Sequence, residues 1–300
     1  MGARGARAAG AVALALLVAA ARAGAAEPPA ADDPVARGRA VLEAAGGCTC
    51  HTDFAGEGLP LAGGRGLSTP FGVYYASNIT PDPDTGIGRW SDADFVRAMR
   101  EGLAPDGSAY FPVFPYTSFT GMTDEDLLAL KAYLFSLPPV RRENRPHAAL
   151  PPLRWRVAAA AWRRMHFTPA RFAADPARSP QWNRGAYLVT AVAHCGECHT
   201  PRTLSGALDH ARWLAGAAEG PEGELAPNIT PHDATGIGRW TRPDLVWYLQ
   251  TGLKPDGDDT QGLMKEVIEH GYQHVPRADL EAIAVYLESV APVENELLRR

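Results

Sequence analysis

The stretch NITPDPDTGIGRWSDADFVRAMREGLAPDG, residues 78–107, returns as NITPHDATGIGRWTRPDLVWYLQTGLKPDG, residues 228–257, at an offset of 150. A repeat of that length and likeness means that the chain contains two copies of one structural unit. The copies open alike, with Arg37-Gly38 set before Cys48 at the same spacing as Arg184-Gly185 before Cys195. They also close alike. LLALKAYLFSLPPV ends at Val140 and LEAIAVYLESVAPV at Val293, both apolar at helical spacing and both stopped by proline. Each copy therefore reads as an entering helix, a cysteine-histidine turn, a long Gly/Pro-rich loop, a middle helix and a closing helix. Within the loop, NITP predicts a turn and GRW a helix entry capped by Ser91 or Thr241.

The 300 residues carry a formal charge of -5, enough chain for one large or two small domains, with nothing basic enough for nucleic acid. At the N-terminus, Arg4 and Arg7 precede an apolar run and a string of small residues, which reads as a secretory signal over 1–26. The run falls short of the about 20 apolar residues that span a bilayer, so the expectation is a cleaved, exported protein, with an uncleaved anchor as the competing reading.

Export to an oxidising compartment would ordinarily make four cysteines a disulfide framework. Here they form two tight pairs, Cys48/Cys50 and Cys195/Cys198, each followed at once by a histidine, His51 and His199. HCGECHT has the C-x-x-C-H spacing of c-type haem attachment. Its thiols sit one helical turn apart and can reach both vinyl groups on one porphyrin edge, with His199 aimed at the iron. GGCTCHTD is one residue short. In a helix Cys48 and Cys50 would be rotated by about 200° and face opposite sides, so Cys50 and His51 are expected to hold haem while Cys48 bonds only if the turn distorts. Zinc is the competing reading and would want four ligands.

These motifs together, with the closing DEDLLALKAYL helix, resemble class I c-type cytochrome domains. More narrowly, the chain is similar to the diheme and triheme cytochrome c subunits that accompany periplasmic alcohol- and gluconate-type dehydrogenases. The resemblance implies an all-α fold of two tandem haem domains with long loops, at 27–140 and 182–300, joined by a partly helical linker at 141–181. It also implies two haem c groups and electron transfer from a periplasmic dehydrogenase to a downstream acceptor such as a terminal oxidase or another cytochrome.

In that family a methionine thioether fills the sixth iron position, and Met264, ahead of the last helix and flanked by Lys265 and Glu266, is placed for it in the second copy. The 150-residue offset puts Phe114 at the matching place in the first copy. Met122 is the nearest thioether, yet aligning the closing helices sets it opposite Val275, which favours packing; the sixth ligand there is Met122 or no protein group. Haem propionates are carboxylates that need partners, and Asn78, Thr80, Arg89 and Trp90, with Asn228, Thr230, Arg239 and Trp240, offer donors unless they serve only the turn and the cap.

In the linker, LRWRVAAAAWRRMHF places Trp155 and Trp162 on one helical face among Arg154, Arg156, Arg163 and Arg164. It reads as a strut between the domains, a patch for an acidic partner, or an interfacial helix giving peripheral membrane association. Three functional classes stay open: a diheme electron carrier with no catalytic residues of its own, a diheme oxidoreductase acting on peroxide or a sulfur compound at an open haem position, and a metal-stapled module without haem.

Overall fold

Each repeat is built on a crossing of its first and last helices. The computed structural model describes residues 33–297, so the signal segment read at 1–26 lies outside them. In chain order, α1 (Pro34–Ala44) leads into the first Cys-His turn (Gly46–His51). Next come strands β1 (Gly66–Thr69) and β2 (Gly72–Tyr75), then helices α2 (Asp92–Glu101), α3 (Tyr116–Phe119) and α4 (Asp124–Ser136). The short strand β3 (Ala148–Ala149) and α5 (Arg156–His166) form the link. The second repeat has α6 (Pro180–Tyr187), α7 (Gly196–His199), α8 (Arg242–Thr251), α9 (Gly262–His270) and α10 (Arg277–Leu287).

The α1/α4 and α6/α10 crossings are made in the same way. Gly38 lies so close to α4 that an added Cβ would stand 1.9 Å from the Ala129 carbonyl oxygen, and Gly185 meets the Ala282 carbonyl of α10 at the same 1.9 Å. Only glycine allows backbones to approach so closely. Beside each glycine an arginine ties the helices: Arg37 donates to Asp126 at 2.8 Å, and Arg184 donates twice to Asp279 at 2.8 and 2.7 Å. The middle helices also match. Ser91 and Thr241 each form a reciprocal capping box with Asp94 and Asp244, and Gly102 and Gly252 end the helices in left-handed conformation.

The core runs continuously through both repeats. Leu127 of α4 and Leu280 of α10 are fully sealed, and Leu188 and Val189, following α6, pack in the same cluster. Burying a leucine of this kind stabilises the fold by about 2 kcal/mol. Among the described residues no helix is long and apolar enough to cross a membrane.

The fold is helix-rich but also holds a small antiparallel sheet, β1-β2-β3, which the all-α expectation does not contain. Its strands are four, four and two residues long, too short for an alternating pattern to register in the sequence. Tyr74 on β2 and Ala149 on β3 form a second cluster with Ala109, Phe111 and Ala159 of α5. Through it α5 lies on the first repeat. The two tryptophans of this segment diverge. Trp162 is half-buried and donates to the Ser205 carbonyl at 2.8 Å, reaching the second repeat as a strut would. Trp155 is the residue at the helix start and is 52% exposed.

Candidate haem sites

The two Cys-His turns enter differently and end identically. In the second, His194 takes a left-handed conformation, after which Cys195 and the α7 residues are helical, leaving Cys195 and Cys198 one turn apart. In the first, Gly46, Gly47 and Cys48 are all left-handed, with φ of 73, 71 and 51°, before a tight 3-10 turn carries the chain to His51. This distortion absorbs the missing residue. Gly47 is required there twice over, for its φ and because a Cβ would fall 2.4 Å from the His270 carbonyl oxygen. Cys48 is thereby turned in against the hydrophobic core, while Cys50 is exposed.

From the histidine onward the turns coincide. His51 Nδ1 bonds the Ser77 carbonyl at 2.7 Å and His199 Nδ1 bonds the Pro227 carbonyl at 2.7 Å. A carbonyl only accepts, so Nδ1 carries the proton and Nε2 keeps its lone pair in both rings. The next residue is a threonine each time. Thr52 accepts from Leu61 N–H and Thr200 from Leu214 N–H, both at 3.0 Å. The histidine carbonyls accept from Gly63 and Gly216, both at 2.7 Å. Burial lowers the pKa of both imidazoles despite the opposing carbonyl bond, favouring the neutral, ligand-ready form.

All four cysteines are free thiols. Burial pushes Cys195 up to about 11, with its Tyr272 hydrogen bond opposing, and Cys48 and Cys198 up to about 12. Cys50 is also raised, chiefly by the surrounding protein, although its surface is exposed. Among the described residues no three Cys, His, Asp or Glu side chains cluster to hold a metal ion, so an all-protein zinc site does not assemble. Paired thiols beside a neutral, oriented imidazole fit haem c, and Cys195, Trp213, Ile229 and Met264 all border the same hydrophobic core.

Met264 lies on α9, half-buried against the core. The 150-residue register still holds four residues before it, where Thr260 N–H donates to Gly252 and Tyr110 N–H donates to Gly102. Counting on from these bonds places Phe114 opposite Met264. Phe114 packs among the rings of Tyr110, Tyr116 and Phe119. Met122 is 1% exposed in the core, its carbonyl accepting from Arg100 at 3.0 Å and its neighbour Thr123 held by the Tyr187 hydroxyl. Its counterpart Val275 is buried in the same cluster.

The NITP residues are used within the fold. The Asn78 amide donates to Thr85 and to the Val140 carbonyl, and its oxygen accepts from Thr80. Asn228 repeats this with Thr235, Val293 and Thr230. The amide is thus spent within the fold, bracing the loop's own threonine and pinning the loop to the chain beyond the closing helix. Arg89 pairs with Asp84 at 2.7 Å on the surface, Arg239 is exposed, and Trp90 and Trp240 are half-buried against the core.

Two interlocks were not legible from the motifs. Glu197, inside CGECH, is buried and accepts from Thr117 and Ser118 of the first repeat at 2.7 and 2.8 Å and from Arg202 at 2.7 Å. Burial pushes its carboxyl up, but Arg202 and the two hydroxyls outweigh that and hold it below the usual glutamate value. Conversely, Arg65 of the first repeat pairs with Glu222 and Glu266 of the second. Gly46 packs on Val267 of α9, and Phe54 stacks on His270 at 4.6 Å. Each Cys-His turn is therefore buttressed by the other repeat, and Cys50 is near enough to Cys198 to raise its pKa.

No protein-family model matches the chain. It is 41% identical over 262 residues to a diheme cytochrome c-type protein of Cereibacter sphaeroides, covering 86% of both chains. It is 41% identical over 261 residues to the fructose dehydrogenase cytochrome subunit of Gluconobacter japonicus, and 38% identical over 273 residues to the gluconate 2-dehydrogenase cytochrome c subunit of Pantoea cypripedii. Those alignments take in 85% and 87% of this chain but only 52% and 60% of the relatives. Duplicated histidine cradles, paired thiols and likeness along most of its length together place the chain in the diheme c-type cytochrome family.

Proposed function

We propose that residues 27–140 and 182–300 are two tandem haem c domains of a periplasmic electron carrier. It would receive electrons from a partner dehydrogenase and pass them to a downstream acceptor, a terminal oxidase or another cytochrome. The observation that carries this reading is the duplicated cradle, in which His51 and His199 are held by the same backbone carbonyl, threonine and glycine contacts. Bound haem supplies a one-electron ferrous/ferric couple. The chain's own residues do the rest. Cys195 and Cys198 would hold the second haem covalently, His199 and His51 would ligate iron through Nε2, and Met264 would supply a thioether ligand at the second site. In the first site Cys50 and His51 would be the main hold on haem, with Cys48 able to bond only through the left-handed distortion of its turn. The threonine and glycine contacts fix each imidazole, which limits reorganisation on electron transfer.

Intact mass after expression with a cytochrome c maturation system tests this: two covalent haems per chain are expected, and none would overturn the reading. The pyridine complex should show a maximum displaced towards a single-thioether haem for one of the two groups. Purified protein should be reducible yet oxidise no alcohol or sugar unaided.

Phe114 favours a second reading for the first site alone. With an aromatic ring in the register of Met264, Met122 is the one thioether proposed for the first iron, and if it serves packing alone that position stays open. A small ligand such as peroxide or a sulfur compound would then have access. Carbon monoxide binding to about half of the haem, with turnover of peroxide, would favour it over the pure carrier.

A further inference from the structure

We propose that α5 and the adjoining turn at 203–206 form a docking face for an anionic phospholipid surface. Residues 145–174 hold six arginines and no aspartate or glutamate, in a chain whose formal charge is -5. Four of these arginines have internal work. Arg145 lies over the Tyr75 ring, Arg156 donates to the Ala109 carbonyl, Arg163 donates to the Glu101 carbonyl, and Arg171 pairs with Asp124. The other two, Arg154 and Arg164, are exposed and make no ion pair or side-chain hydrogen bond among the described residues.

Around these two cations stand side chains that a water-facing surface does not ordinarily display together. Val157, Ala161 and Met165 recur every four residues on the outward face of α5, and Val157 and Met165 are 70% and 69% exposed. Trp155 at the helix start and Leu150 just before it are 52% and 60% exposed, and Leu204 projects fully into solvent. The elements bearing them are fastened together. Trp162 of α5 donates to Ser205, the Leu150 N–H donates to Phe71, and Gly206 abuts the Phe71 ring. An apolar stripe with arginine flanks and a tryptophan is the pattern of a helix lying in the headgroup layer, its guanidiniums reaching to phosphates. Side chains that each project singly suit entry into lipid, whereas an acidic protein partner would meet them with matching pockets. Lipid docking would hold both haem sites beside the membrane and confine the search for donor and acceptor to two dimensions. It does not rest on the electron-transfer reading, and the haem spectrum reports separately on that.

The test is co-sedimentation of the haem-loaded chain with vesicles of phosphatidylcholine alone and of phosphatidylcholine mixed with phosphatidylglycerol. Binding is expected to the anionic vesicles and to weaken with salt. Each arginine at such a surface contributes about a five-fold gain in affinity, so Arg154→Gln/Arg164→Gln should weaken binding roughly thirty-fold. Val157→Ser/Met165→Ser, which keeps the charge, should weaken it about ten-fold or more through lost apolar burial. All four residues are exposed, so the Soret spectrum should be unchanged. No binding to anionic vesicles, or binding indifferent to the arginine pair, overturns the proposal. Sensitivity to the arginines without sensitivity to Val157 and Met165 overturns entry of the apolar stripe into the headgroup layer.

Discussion

The two Cys-His turns differ where they enter and agree where they end, which shows what a site of this kind tolerates. Three left-handed residues, two of them glycine, take up the lost position in the first turn, and everything from His51 onward matches the second. On the proposed reading, a deletion before the second cysteine costs one thioether at most. One after it would unseat the imidazole from the Ser77 carbonyl and the threonine contact. The loose end of the motif is its first cysteine, and the fixed end is its histidine.

The largest effect that can break this comparison comes from removing the thiols of the intact turn. Cys195→Ala/Cys198→Ala should leave one covalent haem per chain by denaturing mass spectrometry, and Cys50→Ala alone should also leave one. If the first variant carries none, the shortened turn has lost attachment and the likeness of the cradles is only structural. If Cys48→Ala changes the haem count or the pyridine maximum, the inward-facing cysteine is bonded after all.

Next in size is the sixth position. Met264→Ala should lower the potential of one haem and produce a high-spin signal, since a thioether raises the potential of low-spin iron. Met122→Ala should leave the spectra alone and cost about 3 kcal/mol of stability, the loss expected for emptying a sealed core position. Phe114→Met should convert high-spin iron in the first site to low-spin. Spectral change in Met122→Ala with none in Phe114→Met would reverse the assignment of these two residues.

How much of this was legible depended on sequence distance. The repeat exposed the crossing glycines, the capping boxes and the histidines because each is marked by residue identity at a fixed offset. The partners of those histidines are backbone carbonyls at Ser77 and Pro227, which leave no residue-type signature. Asn78 and Thr80 were recognisable as polar residues in a repeated loop, but whether they faced a propionate or the Val140 carbonyl could be read only from the fold. Glu197 carries no mark of its role inside C-x-x-C-H, because its hydroxyl partners stand about 80 residues earlier in the other repeat.

The crossing glycines offer a comparison of similar parts. A Cβ at Gly38 or Gly185 would overlap a backbone carbonyl oxygen, and backbone cannot step aside as a side chain can. Overpacking of this kind destabilises by about 3 kcal/mol. Gly38→Ala and Gly185→Ala should therefore lower thermal stability about equally, as read by calorimetry. A much smaller loss at one of them would show that its helix pair carries less of the common core.

The smallest expected effect concerns the interlock that ties the turns to each other's repeats. Glu197→Gln keeps the shape of the side chain but removes the charge that Arg202, Thr117 and Ser118 stabilise. A hydrogen bond to a charged group contributes about 2 kcal/mol. Part of the loss is recovered because Arg202 is 36% exposed and can be solvated by water, which reduces the worth of the ion pair itself. The net loss should be about 1 kcal/mol, and it should be shared by Thr117→Val/Ser118→Ala, whose changes lie in the first repeat. A double-mutant cycle between the two sets measures the coupling directly. Strictly additive losses would show that the second turn does not depend on the first repeat, and that the crosswise buttressing described for Glu197 and Arg65 is contact without energetic consequence.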